Sequence, residues 1–440
     1  MTPETGLLIV ATGFIIVLFL GYPLAFTLGG LSVIFGYTLW DNPAVLNMFI
    51  RTVFNVGSNI SYVSCLLFIF MGCVLERSGA ADDMFESMYI IFGRIRGGLA
   101  IGTVVICTLL AAATGIIGAS ISMMTMLALP SMMHYKYDRK LAFGTIMGAG
   151  CLGTIIPPSI ILVIYGAQAQ ISIGKLFAGG IGAGLLLSTL YLIYIIVRTI
   201  INPNLGPAIS KEEADKYSFK DKVYLIIKSI VPTLGLILTV LGSILGGIAT
   251  PTEAAALGCV GAMLIALAYK RFTWEMIKDS CYSAMKTNAM IMWIILAASM
   301  FTSVFLGLGG SKVISSFVTN LGVGKWAIFG VISILLIIMG MFIDSYGVLL
   351  IGIPIFTPIV YALGFDPVWF AIMFAVFIQL SYLSPPFSYA AFYLKGVSKE
   401  QINISEVYNA TFPFLALQII AVIILCIFPE IITYLPSKMM

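Results

Sequence analysis

Three features of this 440-residue sequence predict an all-α polytopic membrane protein: its composition, its interrupted apolar runs and an internal repeat. Sixty per cent of the residues are hydrophobic and 10% are charged, against about 25% charged residues in a typical soluble domain. A soluble fold of this size needs more polar surface than such a chain can supply. The composition therefore excludes a soluble protein or a nucleic-acid-binding protein. At about 20 residues per crossing, it allows about eleven transmembrane helices.

Two apolar runs are too long for a single crossing, and each has a polar or glycine-rich break near its middle. The first run, 99–133, is broken at Gly115–Ser122, and the second run, 326–360, is broken at Gly340–Gly347. Broken helices of this kind are typical of membrane transporters, in which irregular backbone lines a site. We expect these two runs to form broken helices.

Two other apolar runs contain the proline pairs Pro157-Pro158 and Pro385-Pro386. Each proline removes a backbone donor and clashes with the preceding helical turn, so the helix cannot continue. Non-helical backbone is tolerated inside a membrane only where it is buried in protein or lines a cavity. The two breaks are therefore expected to expose carbonyls and hydroxyls near one central site. The alternative is a purely structural kink at each pair.

An internal repeat relates the two halves of the chain. A shift of 228 positions places Asp138 on Asp366, Pro157-Pro158 on Pro385-Pro386, and Tyr165 on Tyr393. The order and spacing of these matches favour a true repeat, and the alternative is chance recurrence of proline and glycine in apolar sequence.

The two repeats are predicted to be inverted in the membrane. The loop at 134–140 carries Lys136, Arg139 and Lys140, whereas the equivalent loop at 362–368 has no lysine or arginine. By the positive-inside rule, the first loop is cytoplasmic and the second is not. Inverted repeats with broken helices are characteristic of secondary transporters.

The repeat divides the chain into five segments. We expect N-terminal scaffold helices at 1–57, the first inverted repeat at 58–201 and a cytoplasmic connector at 202–222. Scaffold helices and an amphipathic arm follow at 223–287, and the second inverted repeat occupies 288–440.

Asp344 is an ionisable residue in the middle of an apolar run, next to Ser345. A charge at this depth costs about 2.5–3.5 kcal/mol on insertion scales, so it needs a compensating role. Its carboxylate is predicted to bind a cation together with nearby hydroxyls and freed carbonyls. The alternative is an N-cap for the following half-helix, and both roles are compatible. Glu253, in Thr250-Pro-Thr-Glu253, has the pattern of a helix start, with a role in the substrate path as the alternative.

The residue patterns that indicate an enzyme or a bound cofactor are missing. The one histidine, His134, lies outside the apolar runs, and the sequence has no phosphate-binding loop or His/Cys cluster. The seven cysteines form no Cys-x-x-Cys pair and are interpreted as packing residues. We therefore expect a transporter that is not an enzyme, needs no cofactor and uses sodium as its coupling ion.

Four motifs, distributed over essentially the whole chain, resemble those of the large membrane subunit (DctM-like) of tripartite ATP-independent periplasmic (TRAP) transporters. They are Gly247–Ala256, Gly153–Ile160, Gly340–Asp344 and Ser384–Phe387. The resemblance implies an inverted-repeat fold of the ion-transporter superfamily, with two re-entrant hairpins beside about eleven transmembrane helices. The same resemblance implies a bacterial or archaeal inner-membrane permease with an elevator mechanism, which imports small organic acids with sodium. It also implies two partners, a periplasmic binding protein that delivers the substrate and a separate small four-helix membrane subunit.

The motifs and the resemblance together give the expected site residues. We expect sodium to be bound by Ser120, Ser122, Gly153, Asp344, Ser345 and Ser384. We expect the substrate path to include Thr154, Pro157, Pro158, Ser159, Pro385, Pro386 and Ser388.

One alternative is a stand-alone sodium- or proton-coupled organic-anion carrier of the wider ion-transporter superfamily, which would work without a binding protein. The segment Ser384–Gly396 resembles the branch of the TRAP family linked with 2-oxo acids, lactate, mannitol or aromatic acids.

Overall fold

The structure is a computed structural model that describes residues 2–40, 45–115, 117–208, 218–310, 313, 316, 322–398 and 402–439. Residues 209–217, the middle of the predicted connector, lie outside the described part. The described residues form helices joined by turns, with no β-strand among them. The first ten helices are α1 (Pro3–Phe19), α2 (Leu24–Thr38), α3 (Val45–Ser58), α4 (Ser61–Arg77), α5 (Ala80–Phe92), α6 (Gly98–Thr114), α7 (Ile117–His134), α8 (Arg139–Gly150), α9 (Ile160–Ala169) and α10 (Ile173–Ile201). The next nine are α11 (Phe219–Leu245), α12 (Pro251–Ala268), α13 (Trp274–Gly307), α14 (Lys325–Phe342), α15 (Ser345–Ala362), α16 (Pro367–Leu383), α17 (Tyr389–Val397), α18 (Ile404–Ile427) and α19 (Glu430–Ser437).

The predicted polytopic, all-helical membrane architecture is confirmed. Within the described ranges, seven helices are individually long and apolar enough to cross a membrane, or up to eight spans if α3 and α4, bent by 49°, count as one. The long helices are α10, α11, α12, α13, α14, α15 and α18. Other apolar helices have fewer than 18 residues, and three of them, α6, α9 and α16, lie in the interrupted runs.

Helices α6 and α7 form a hairpin that returns to the side from which it came. Gly115, with φ of +59°, ends α6, and α7 begins two residues later. The far ends of the two helices meet, because the backbone N–H of Leu99 donates to the hydroxyl of Tyr137 at 3.2 Å. We call this pair hairpin 1, with its tip at Gly115 and its base at Leu99 and Tyr137.

Helices α14 and α15 form the second predicted hairpin. Ile343 has extended backbone between them, and Asp344 caps α15. At the far ends, the ring centroids of Trp326 and Phe365 are 5.1 Å apart, and the Nζ of Lys325 lies 5.2 Å from the Phe365 ring centroid. We call this pair hairpin 2, with its tip at Asp344 and its base at Trp326 and Phe365.

The two hairpins enter the protein from opposite faces. Broken helix α8–α9 starts beside the base of hairpin 1, and its far part reaches hairpin 2, where the Tyr165 and Thr357 hydroxyls lie 3.1 Å apart. Broken helix α16–α17 starts beside the base of hairpin 2 and ends against hairpin 1, where Tyr393 packs on Gly118. The face at the base of hairpin 1, which carries Arg94, Arg96, Lys136, Arg139 and Lys140, is called the basic face below.

Small residues allow close helix approach in the core, as membrane helix packing requires. A Cβ on Gly182 of α10 would lie 2.0 Å from the carbonyl oxygen of Ile431 in α19. A Cβ on Gly144 of α8 would lie 2.5 Å from the carbonyl oxygen of Ala410 in α18. Both contacts are with backbone, which cannot rotate away.

Gly182→Ala is expected to destabilise the protein by about 1–3 kcal/mol, because α10 and α19 must move apart to admit the methyl group. The measurement is thermal unfolding of the purified protein in detergent. Gly235→Ala in α11 is the matched control, since no atom lies within 4 Å of its added Cβ. Equal melting temperatures for the two variants would contradict the described packing.

Candidate functional site

The tip of hairpin 1 lies against the first proline break. A Cβ on Gly115 would be 3.1 Å from the carbonyl oxygen of Pro158. A Cβ on Gly153 would be 3.8 Å from the Cα of Ala111 in α6. Glycine is favoured at Gly115, where φ is +59° and the added Cβ would be tight, whereas a Cβ on Gly153 would make an ordinary contact. Ser120 is buried near this tip, and Ser122 is partly exposed.

Side-chain hydroxyls in the first break donate hydrogen bonds to backbone carbonyls at the point where the regular helical hydrogen bonding is interrupted. Helix α8 ends at Gly150, a 3-10 turn follows over Cys151–Thr154, and the peptide bond Pro157-Pro158 is cis. The Ser159 hydroxyl donates to the carbonyl of Thr154 at 2.6 Å. The Thr154 hydroxyl donates to the carbonyl of Cys151 at 3.0 Å. These groups are buried, and their oxygens keep lone pairs that a cation can share.

A buried amide that the sequence analysis did not single out lies beside this break. The Oε1 of Gln379 in α16 is 3.4 Å from the Thr154 hydroxyl, and Gln379 is fully buried. Nearby, the Nε2 of Gln418 in α18 donates to the hydroxyl of Tyr191 at 3.0 Å. An amide within an otherwise apolar run was the signal that could have found Gln379. These contacts attach the first break to the second repeat.

The tip of hairpin 2 is bonded to the second broken helix. Asp344 caps α15, with its Oδ1 accepting from the backbone N–H of Gly347 at 3.3 Å. The Tyr382 hydroxyl donates to the Ser345 hydroxyl at 2.9 Å and accepts from the Ser345 backbone N–H at 3.4 Å. Asp344 is half-buried as a residue, whereas Ser345 and Tyr382 are buried. The N-cap interpretation of Asp344 is confirmed by its bond to Gly347.

The second proline break repeats the pattern of the first. Its peptide bond Pro385-Pro386 is cis. The Ser384 hydroxyl donates to the carbonyl of Leu380 at 2.9 Å, and the Ser388 hydroxyl donates to the carbonyl of Tyr382 at 3.2 Å. Both serines are buried. Each broken helix thus uses serine hydroxyls to satisfy carbonyls that its proline pair frees.

The predicted site residues fall into two adjoining groups. Ser120, Ser122, Gly153, Thr154, Pro157, Pro158 and Ser159 belong to the hairpin 1 tip and the first break, whereas Asp344, Ser345, Ser384, Pro385, Pro386 and Ser388 belong to the hairpin 2 tip and the second break. Tyr393 of α17 brings the second group against the first, because its Cζ would be 2.7 Å from a Cβ on Gly118 of hairpin 1.

Glu253 is placed in a helix cap, as its sequence pattern indicated. The backbone N–H of Thr250 donates to the Oε2 of Glu253 at 2.8 Å, and the N–H of Glu253 returns a bond to the Thr250 hydroxyl at 3.3 Å. This reciprocal pair is a capping box at the start of α12. The recorded partners of Glu253 belong to this cap and not to either proline break.

The donor set at the two groups is made of oxygen. It comprises one carboxylate, several hydroxyls and carbonyls at the breaks, which suit a hard cation. Among the described residues, no group of three or more His, Cys, Asp or Glu side chains is arranged to hold a metal ion. Within the same residues, Asp344 forms no ion pair with a lysine or an arginine.

Comparison with known proteins identifies the family. The family described as "Tripartite ATP-independent periplasmic transporter, DctM component" matches residues 11–431. The chain belongs to this family. The permease is 30% identical to the C4-dicarboxylate TRAP transporter large permease DctM of Vibrio cholerae, over 99% of this chain and 97% of that protein. It is 27% identical to the ectoine TRAP transporter large permease TeaC of Halomonas elongata, over 95% of this chain and 96% of that protein.

A solved structure supports the fold of the permease. The YdaH transporter of Alcanivorax borkumensis matches with a TM-score of 0.65 at 14% identity, covering 92% of this chain and 97% of that one. The resemblance to TRAP large permeases that the four motifs indicated is therefore confirmed by the family match, and the overall helical architecture is confirmed by this structural match.

Tyr382→Phe is expected to destabilise the permease by about 1–3 kcal/mol, because it leaves the buried hydroxyl and N–H of Ser345 without their partner. Thermal unfolding of the purified protein measures the effect. Tyr224→Phe serves as the control, since Tyr224 is 66% exposed on α11. Unchanged melting for Tyr382→Phe would show that the bond between α16 and hairpin 2 contributes nothing.

Proposed function

We propose that this permease is the large membrane subunit of a sodium-coupled secondary importer that moves small organic acids by an elevator mechanism. The observation that carries the proposal is Asp344, a carboxylate at a hairpin tip inside an apolar protein, with no basic partner among the described residues. An uncompensated charge at this depth is costly, and a bound sodium ion removes that cost.

Sodium is proposed to bind at both breaks. Asp344, Ser345 and Ser384 supply oxygens at hairpin 2, and Ser120, Ser122 and the carbonyl of Gly153 supply them at hairpin 1. The N-termini of α9 and α15 begin beside the breaks, where their dipoles favour a nearby anion. Sodium and an organic anion therefore suit the same region.

The elevator proposal rests on a division of the helices into two groups, which contact each other where α4 meets α6 and where α13 meets α15. Helix α4 contacts α12, where the Cys259 thiol donates to the Leu67 carbonyl at 3.1 Å. These helices, with α2, α11 and α13, form the proposed scaffold, and the hairpins with the broken helices form the proposed moving part. Two cavities of about 860 and 410 Å³ lie along their border and share Asn59, Ala167 and Gln170. Sodium would couple transport by binding one position of the moving part more tightly than the other.

The partners and the membrane are also proposed by relation to the family. The relatives named above are TRAP transporter large permeases, and the family description names a tripartite, periplasmic system. We propose a periplasmic binding protein that delivers the organic acid and a small four-helix membrane subunit as a separate chain. The bilayer is then the bacterial or archaeal inner membrane, with the basic face in the cytoplasm.

Asp344→Asn is expected to abolish the stabilisation of the permease by sodium, because asparagine lacks the charge that binds the ion. The measurement is the melting temperature of the purified protein in sodium, potassium and choline chloride at equal ionic strength. A ligand that binds only the folded state stabilises it, by about 1–3 kcal/mol at several to a hundred times its Kd.

Asp366→Asn is the matched control for this experiment. Asp366 also caps a helix, accepting from the backbone N–H of Trp369 at 2.8 Å, but lies at the base of hairpin 2. Asparagine caps a helix about as well as aspartate does, so both variants keep their caps. Loss of the sodium effect in both variants, or in neither, would remove Asp344 from the proposed site.

The orientation of the two faces can be tested by labelling. Asn204→Cys lies on the basic face and Val323→Cys lies near the base of hairpin 2, and both positions are exposed. In a Cys281→Ser background, which removes an exposed native thiol, a membrane-impermeant maleimide is expected to label Val323→Cys in intact cells. Asn204→Cys should react only after permeabilisation. The reverse pattern would invert the proposed topology.

A further inference from the structure

Two glutamines in the core, on helices that pack against each other, each have an amide atom without a hydrogen-bond partner. Gln379 lies in α16 and Gln418 lies in α18, and both side chains are fully buried. The Nε2 of Gln379 and the Oε1 of Gln418 form no hydrogen bond with any described residue. Leaving a buried polar atom unpaired is costly, so an unpaired donor and an unpaired acceptor in one region indicate a bound group between them.

The two glutamines lie at nearly the same depth in the fold. The indole N–H of Trp369, near the start of α16, donates to the carbonyl of Leu425, near the end of α18, at 2.9 Å. This bond fixes the register of the two antiparallel helices. Gln379 follows Trp369 by ten residues, and Gln418 precedes Leu425 by seven. At the rise of an α-helix, these separations place the two residues about 15 and about 10 Å from that bond, in the same direction.

Tyr191 of α10 adds a third polar group to this region. Its hydroxyl accepts from the Nε2 of Gln418 at 3.0 Å, and its ring packs on Phe414 of α18 with centroids 5.2 Å apart. The hydroxyl keeps its own proton, which needs an acceptor in a fully buried region. Tyr191 also interacts with Gln379, although no described residue accepts from the Nε2 of that amide.

We propose that one water molecule lies among Tyr191, Gln379 and Gln418. It accepts from the Nε2 of Gln379 and from the Tyr191 hydroxyl, and it donates to the Oε1 of Gln418. Buried waters typically make about three hydrogen bonds, to polar groups that are otherwise unsatisfied. A cation suits this position less well than water, because the N–H of Gln379 directs a positive end toward it.

The water completes a chain of hydrogen bonds that reaches the first break. The Oε1 of Gln379 is 3.4 Å from the Thr154 hydroxyl, which donates to the carbonyl of Cys151 at 3.0 Å. Thr154 directly follows Gly153, whose carbonyl is a proposed sodium ligand. Gln379 and Gln418 are therefore positioning residues, which hold the first break in place from α16 and α18. This role rests on sodium binding at the first break, as proposed above.

The water itself is tested by a structure of the purified full-length permease at a resolution that shows ordered waters. We expect one density peak within hydrogen-bonding distance of the Gln379 Nε2, the Tyr191 hydroxyl and the Gln418 Oε1. Absence of the peak would overturn the inference. A peak with the short, oxygen-only contacts of a metal ion would overturn it as well.

The positioning role is tested by titrating sodium against the melting temperature of variants, with choline chloride holding the ionic strength constant. Gln418→Met keeps a side chain of similar length, lacks the amide and lies outside the first break. It is expected to weaken the apparent sodium affinity about tenfold, as loss of a group that orients a metal ligand does. Gln379→Met is expected to have the same effect. The double variant should bind sodium no more weakly than either single variant, because all three interrupt one chain.

Trp369→Phe is the matched control for these variants. It removes another buried bond between α16 and α18, the bond to the Leu425 carbonyl, away from the first break. A lower melting temperature with unchanged sodium affinity is expected. A purely structural role for the glutamines would give this same result in their variants. If Gln379→Met does not fold, Gln418→Met alone decides, since Gln418 is the more distant member of the chain.

Wild-type sodium affinity in Gln418→Met, or an equal loss of affinity in Trp369→Phe, would overturn the positioning role. In either case, stabilisation of the wild-type protein by sodium would still support the proposed coupling function. Absence of a sodium effect in the wild-type protein would instead contradict that function, while the density peak would still decide whether the water is present. The two failures are therefore distinguishable.

Discussion

Backbone polar groups inside a membrane must find their partners within the protein, and this requirement governs the architecture around the two proline pairs. Each pair interrupts a helix and frees carbonyls at membrane depth. In the first break, the hydroxyls of Thr154 and Ser159 pair with nearby carbonyls, and in the second, Ser384 and Ser388 do so. Each break is also covered by a hairpin tip. The same oxygens that satisfy the backbone leave a site rich in lone pairs, which is why a cation suits it.

Asp344 contributes one negative charge at the tip of hairpin 2, and this charge has no basic partner among the described residues. The bond between Tyr382 and Ser345 holds the hairpin tip on which that charge lies. In the proposed cycle, sodium neutralises the charge before an anion can bind beside it. Binding of the anion then depends on binding of sodium, because the ion neutralises the carboxylate beside the anion. No conformational change at a distant site is required.

Equivalent positions in the two repeats carry side chains with different surroundings. The two halves of the fold are therefore similar, while the site between them is not symmetric. Tyr165 is buried and bonded to hairpin 2, whereas Tyr393 is exposed and lies on hairpin 1. Similarly, Cys151 begins the first break, while its equivalent, Gln379, reaches the Thr154 hydroxyl. One member of each pair supports the fold, and the other places a polar group near the site.

The sequence alone determined the membrane fold and the broken helices and indicated the family, because hydropathy, proline chemistry and motif spacing are local properties of a chain. For Glu253 it left a helix cap and a role in the substrate path as alternatives, and the structure showed the cap. It also identified Asp344, since a charge in an apolar run stands out. It did not identify Gln379, whose side-chain oxygen lies 3.4 Å from the Thr154 hydroxyl. Only the tertiary structure decided which hairpin tip meets which break and which hydroxyls remain free, because these depend on contacts between residues far apart in sequence.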